Sequence, residues 1–243
     1  MKLRMQITKD PEIRFISHLE YARTISRAIR RAKLPAAYSE GFNPHLKFSL
    51  ASALGVGVVS YTEFVEIELA QPMEVEPAAR ALDAALPRGI RVLAADAVDT
   101  HHAALMSQAA GAGYRVTLPY TQDISEAVAA FNAAPELLFK KAAPKTKAGF
   151  KEIDVKFYIP QIEVTCNGEA TVFTFDCKIT PTGSMKAVDL LNALNEHYNL
   201  GLPVEMADIE RLNLYRLSKK GNKVPMLNND AVKLGYGDSG QLW

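Results

Sequence analysis

The feature that most constrains this chain is a change of hydrophobic period along its first hundred or so residues. Leu3, Met5 and Ile7 alternate with Lys2, Arg4 and Gln6, a two-residue period that places one set on each face of a strand. Residues 19–33 carry a helical period, 46–51 and 62–69 alternate again, 75–86 are Ala-rich and helical, and 90–95 form a short strand. In residues 62–69, Val65, Ile67 and Leu69 point inward and Glu66 and Glu68 outward. The order strand, helix, strand, strand, helix, strand is the ferredoxin-like pattern, with two helices on one face of an antiparallel sheet. It leaves the other sheet face open as a candidate binding surface.

The order repeats less clearly further on. Residues 99–113, rich in Ala, Gly and His, read as a linker, with His101-His102 incidental to it. Strand 114–119, helix 125–132, a long hairpin of 151–165 and 170–179 turned at Asn167-Gly168, helix 185–198 and strand 209–217 follow. Val188, Leu191 and Asn195 mark the period of the last helix. The expected fold is therefore α+β, a tandem of ferredoxin-like units with antiparallel sheets. Residues 1–98 and 114–217 form the units, 99–113 link them, and 218–243 form a polar tail that is loosely held or docks through Leu242 and Trp243.

Composition limits function. The chain has 243 residues, 48% hydrophobic and 23% charged, which suits a globular protein. Its 28 basic and 27 acidic residues give a net charge of +1, which excludes coating of nucleic acid through bulk charge. A nucleic-acid partner would meet a local patch. Cys166 and Cys177 are spaced for neighbouring strands rather than a metal knuckle, so free thiols in a reducing cytosol are expected. A signal-peptide core and any run of about 18 apolar residues are missing, so a cytoplasmic protein, neither exported nor membrane-spanning, is expected.

The first helix is the most informative segment. Arg23, Arg27, Arg30 and Arg31 share one side and Ala22, Ile25, Ala28, Ile29 and Ala32 the other. Planar guanidinium forks suit phosphate oxygens; the same face also reads as a solvated one with Glu20 pairing the arginines. Ser17 and Glu20 have the spacing of a capping box. His18 is left for packing or for proton transfer.

Tyr38, Gly41, Phe42, Asn43, His45 and Lys47 follow in a turn around Asn43-Pro44, joining positive charge to ring faces as single-stranded RNA recognition requires. Gly55-Val56-Gly57 could let backbone approach a phosphate. An ordinary loop and hairpin fit the same residues. Lys140, Lys141, Lys145, Lys147 and Lys151 crowd a hairpin arm, as phosphate contacts or as a solvated loop. No nucleotide-hydrolysis motif, metal constellation or cofactor motif is present.

The run Phe15-Ile16-Ser17-His18-Leu19-Glu20, with Arg23, Arg27-Ala28, Arg30-Arg31-Ala32 and Leu34-Pro35, continues through Tyr38-Ser39-Glu40-Gly41-Phe42-Asn43-Pro44-His45 and Lys47 to Ser60, Glu63 and Glu66-Ile67. In these residues, and in Ile153-Asp154-Val155 with Lys156, the chain resembles the DUF2344 family, the radical-SAM-linked proteins. Glu20 and Glu66 stand where that family favours Asp, Leu46 where it favours Pro, and Lys156 where it favours Arg. The resemblance implies a bacterial protein working beside a radical SAM partner, and on RNA.

The chain lacks the three-cysteine cluster motif, so it cannot itself be a radical SAM enzyme. An RNA-binding accessory protein that presents RNA to a separate modification or processing enzyme is the expected function. A metal-independent endoribonuclease using His18 or His45, with Arg23, Arg27 or Lys47 stabilising charge, is one alternative. A protein-interaction scaffold for the radical SAM partner is the other. DNA and membrane are not expected partners, and no metal or cofactor is expected.

Overall fold

A computed structural model describes residues 1–99, 103–144, 146 and 148–235. His101, His102, Lys145, Lys147, Leu242 and Trp243 lie outside the described residues. The chain is mixed α+β and divides into two compact units, one of residues 1–110 and 213–243, the other of residues 111–212.

The first unit opens with strand β1 (Lys2–Lys9) and helix α1 (His18–Arg31), then β2 (Phe48–Leu50), β3 (Val58–Glu68), α2 (Val75–Ala85), β4 (Val92–Val98) and a single turn of helix, α3 (Leu105–Gln108). β1 lies antiparallel between β3 and β4, and β2 pairs antiparallel with β3. Leu3, Met5 and Ile7 are fully buried against Tyr21, Ile25, Ala28 and Ile29 of α1, Ala78, Ala79 and Leu82 of α2, and Val65 and Ile67 of β3. Each large aliphatic side chain buried this way contributes about 1.5–3 kcal/mol.

α1 begins where its cap predicts. Ser17 Oγ accepts from the Glu20 amide and the Glu20 carboxylate accepts from the Ser17 amide, at 3.2 and 2.9 Å. Past Arg31, Lys33 turns into the left-handed region (φ +52°) and Leu34-Pro35 carries the chain away, since proline cannot continue the helical hydrogen-bond ladder. Tyr21, absent from the predicted apolar stripe, is buried, and its hydroxyl donates to the Thr8 carbonyl at 2.7 Å.

The second face of this sheet is not open. Arg4 is 2% exposed and Glu66 4%, and Arg4 Nη2 meets Glu66 Oε2 at 2.7 Å. Arg4 Nη1 also donates to Gln108 Oε1 and to the Met226 carbonyl, at 3.1 and 2.9 Å, and Lys2 approaches the other Glu66 oxygen at 3.2 Å. Alternation correctly assigns Arg4 and Glu66 to the face opposite Leu3. It could not reveal that α3 and the end of the chain return to cover that face.

The second unit contains β5 (Gly111–Leu118), α4 (Ser125–Ala133), β6 (Leu138–Ala142), β7 (Phe150–Asp154), α5 (Val155–Tyr158), β8 (Glu163–Cys166), β9 (Thr171–Thr180), β10 (Gly183–Ser184), α6 (Ala187–Tyr198) and the start of β11 (Asp208–Leu217). β9 pairs antiparallel with β5 and with β8, β10 pairs with β9, and β11 lies beside β5. β6 and β7 form a separate hairpin.

Residues 151–165 are not one hairpin arm. Asp154 caps α5 by accepting from the Lys156 amide, and only Glu163–Cys166 reaches β9 around the Asn167-Gly168 turn. In α6 the buried stripe runs through Leu190, Leu191, Ala193 and Leu194. Asn195 is not part of its apolar period; its side-chain amide closes on both backbone groups of Leu202.

The chain's last described stretch returns to the first unit. β12 (Lys223–Pro225) pairs with the end of β11, β13 (Val232–Lys233) pairs with β4, and Met226, Leu227 and Leu234 are buried. Polar composition around these three apolar residues hid that role. The stretch read as a linker likewise contains α3 and the first residues of β5.

Candidate functional site

Arg23, Arg27, Arg30 and Arg31 all lie on the exposed face of α1, opposite its buried residues. Their situations differ. Arg31 donates through Nε and Nη2 to the Ala85 carbonyl at 3.3 and 2.7 Å, so it ties α1 to the end of α2. Arg23 acts on Glu20, whose carboxyl is held below its usual range first by the Ser17 hydrogen bonds and to a lesser degree by this guanidinium. Arg27 and Arg30 have no hydrogen-bond or ion-pair partner among the described residues. The alternative reading, a face neutralised by Glu20, applies to Arg23 alone.

The loop after α1 is closed at its base. Ser39 and His45 exchange hydrogen bonds through the Ser39 amide and hydroxyl, Tyr38 bridges Leu46, and the Lys47 amide donates to the Ala37 carbonyl. These contacts hold the strand-like stems and leave the tip in solvent. Phe42 is completely exposed, and Tyr38, Gly41, Asn43 and His45 are exposed beside it. Gly41 has φ +117°, a conformation that side chains rarely adopt. Lys47 is already paired, its Nζ 3.0 Å from Glu68 Oε1.

The two histidines do not share a site. His18 opens α1 at the end of β1 where Tyr21 meets Thr8. His45 sits on the loop anchored by the Ala37 amide to Glu68, which pairs with Lys2 at the other end of β1. Six residues of strand, about 20 Å, separate those ends. They cannot act as a single acid-base pair.

Around the start of α1 is a group of buried polar residues that sequence reasoning missed. Lys9, 1% exposed, donates through Nζ to the carbonyls of Arg14 and Gly55 at 2.8 and 3.2 Å. Arg14 donates twice to the Gly57 carbonyl and accepts from the Gly57 amide. The Gly57 amide is thus spent on a clasp between two loops rather than free to meet a phosphate, and the glycine is needed there for its φ of +83°. Phe15, Leu19 and Val56, from these same segments, stay exposed. The family resemblance carries a signal for it, since Ser60 and Glu63, both buried, are among the residues that make up that resemblance.

In the second unit, Lys156 is buried rather than displayed. Its ammonium donates to the carbonyls of Phe131 and Pro160 and lies 4.2 Å from the Phe131 ring centre; burial lowers its pKa, partly opposed by Asp154. Lys141 pairs with Asp189 at 2.6 Å and Lys140 stands over the Phe150 ring, whereas Lys151 is exposed on β7. Cys166 on β8 is exposed and Cys177 on β9 is buried, both free, and burial pushes the Cys177 thiol up to about 11. Among the described residues no three His, Cys, Asp or Glu side chains gather in a metal-binding group, and no helix is long and apolar enough to cross a membrane.

The mixed α+β scaffold thus exposes unpaired guanidinium groups on α1 and rings on the loop that follows it. Residues 2–204 match the family model described as an uncharacterized protein conserved in bacteria, DUF2344, and the chain belongs to that family. Comparison with curated proteins found no match. Among solved structures the chain is similar to one in the crystal structure of a Cbf5-Nop10-Gar1 complex, at 14% identity and a TM-score of 0.48. That likeness covers 87% of this chain and 48% of the other, so this chain spans about half of its length. It is also similar to an unknown protein from Galdieria sulphuraria, at 16% identity and a TM-score of 0.25, over 86% of this chain and 97% of that one.

Proposed function

We propose that this protein is an RNA-binding accessory module, which presents RNA to a separate modification or processing enzyme of the radical SAM class. The observation that carries the reading is that Arg27 and Arg30 on α1 are exposed and without side-chain partners among the described residues, and that the loop following the helix exposes the rings of Tyr38, Phe42 and His45. Guanidinium groups hold phosphates and rings stack on unpaired bases, so together they suit single-stranded RNA. Arg23 and Lys47 contribute less, since each has an acidic neighbour.

We infer that each unit is ferredoxin-like. The pairing orders β2-β3-β1-β4 and β8-β9-β5-β11, each with two helical crossovers, support that assignment. The β6–β7 hairpin and α5 are then an insertion in the second unit.

Fluorescence polarization with single-stranded RNA tests the function. Arg27→Glu combined with Arg30→Glu should reduce affinity at least about tenfold and flatten the salt dependence by about two phosphate contacts. Unchanged affinity and salt slope would remove the proposal. A second reading, a docking surface for the radical SAM protein itself, draws on exposed Phe15, Leu19 and Val56. Co-purification of such a partner after nuclease treatment and high salt, lost on Phe15→Ser, would favour it.

A further inference from the structure

Within the first unit, the last described segment arches over the polar face of the sheet and borders an open-mouthed cavity of about 380 Å³. The arch is fastened at three places. Arg4 holds the Met226 carbonyl, Asn228 donates from its backbone and side chain to Asp96, and β13 pairs with β4 through Val232 and Lys233. Gln6, Thr62 and Phe64 supply the floor, and Met226, Asn229 and Lys233 are among the residues above it.

The lining has a specific chemical character. Phe64 offers an aromatic wall. Gln6 spends its Nε2 on the Tyr61 carbonyl, 2.8 Å away, leaving Oε1 without a partner among the described residues. Thr62 is 8% exposed, and its Oγ1 is buried without a hydrogen-bond partner among the described residues. That hydroxyl is closed off from the cavity by its neighbours, so the polar atom the floor offers to a ligand is Gln6 Oε1. Lys233 is exposed at the rim and has no acidic partner among the described residues, and no carboxylate lines the cavity.

We propose that this cavity binds a single nucleotide unit, with the base beside Phe64 and its phosphate at Lys233. A planar base can meet an aromatic wall while its edge donates to Gln6 Oε1. The cation at the mouth, with no lining carboxylate to repel an anion, suits the phosphate. The volume is near the lower end of small-molecule sites, as one nucleotide requires. The unit comes either from free nucleotide or from a base drawn out of a bound RNA; the second source rests on the function proposed above.

Calorimetric titration of the full chain with AMP, GMP, CMP, UMP, inorganic phosphate and a short single-stranded RNA tests this. Gln6→Leu and Lys233→Ala should each weaken binding of at least one mononucleotide about five- to tenfold, taking one lost hydrogen bond or charge contact as the measure. Mononucleotide binding without RNA binding would support the cavity and overturn the RNA module. Loss of RNA affinity in both variants, without measurable mononucleotide binding, would assign the cavity to a base within RNA. RNA binding unchanged in both variants, with no mononucleotide bound, would overturn the cavity proposal and leave the RNA module standing. Inorganic phosphate displacing a mononucleotide as well as a second nucleotide does would also overturn it, reducing the site to an anion contact. Circular dichroism establishes that each variant folds, and Lys233→Ala, on the exposed rim, decides if Gln6→Leu does not.

Discussion

Arg4 on β1 and Arg27 on α1 occupy equivalent places in the hydrophobic pattern. Each stands opposite an apolar stripe, on the side that periodicity assigns to solvent. Arg4 is nevertheless buried in an ion pair with Glu66, roofed by Gln108 and Met226, while Arg27 is exposed. Periodicity tells which side of an element a residue occupies. Whether that side meets water depends on chain elsewhere, here more than a hundred residues distant.

The strongest way to break this comparison is Arg4→Ala. Among the described residues it leaves the buried Glu66 carboxylate with only Lys2 beside it, and urea unfolding should show a loss of about 3 kcal/mol, since removing one partner strands the other charge. A loss within 0.5 kcal/mol, about what a surface change produces, would mean that the face is wet. Lys156→Ala extends the comparison to the second unit. It withdraws the ammonium from the Phe131 and Pro160 carbonyls and should cost about 2 kcal/mol in the same assay.

A smaller effect is expected at the start of α1. Ser17→Ala removes one half of the capping box and should cost about 1 kcal/mol. The Glu20 half has a sign that can be checked by pH. Because its carboxyl is held below the ordinary value of 4.5 in the folded protein, its stabilising contribution is present above that value and fades as pH falls through the lowered one. Glu20→Gln should reduce the acid-side slope of the unfolding curve. The smallest effect on stability belongs to Arg27→Glu with Arg30→Glu, within about 0.5 kcal/mol, although the same pair carries the largest expected loss of RNA affinity. Destabilisation comparable to Arg4→Ala would erase the distinction between the two arginine settings.

Much of the first unit was legible because its signals are local. The alternation of Leu3, Met5 and Ile7, the Ser17-Glu20 box and the exposed arginine side of α1 each depend on residues a few positions apart. The second unit was read less well where a local signal competed with another. Residues 151–165 have strand-like composition throughout, yet the Asp154 cap turns Val155–Tyr158 into helix and pairs the preceding strand with β6. At the candidate site, exposure of Arg27, Arg30 and the ring-bearing loop follows from pattern and turn chemistry. The pairing of Lys47 with Glu68 and of Arg31 with Ala85 does not, because those partners come from other elements.

The amino-acid sequence by itself determined the α+β class, the Ser17–Glu20 cap and the sides on which charge would stand. These follow from short-range sterics, hydrogen bonding of the nearest amides and the spacing of apolar side chains. Only the tertiary structure decided that the polar face of the first sheet is buried, that Lys9 and Arg14 fasten two loops, and that a cavity lies beneath the returning end of the chain. Each requires a carbonyl, carboxylate or side chain from a distant position to replace water around a charged or polar group. Spacing along the chain carries no record of which distant group that will be.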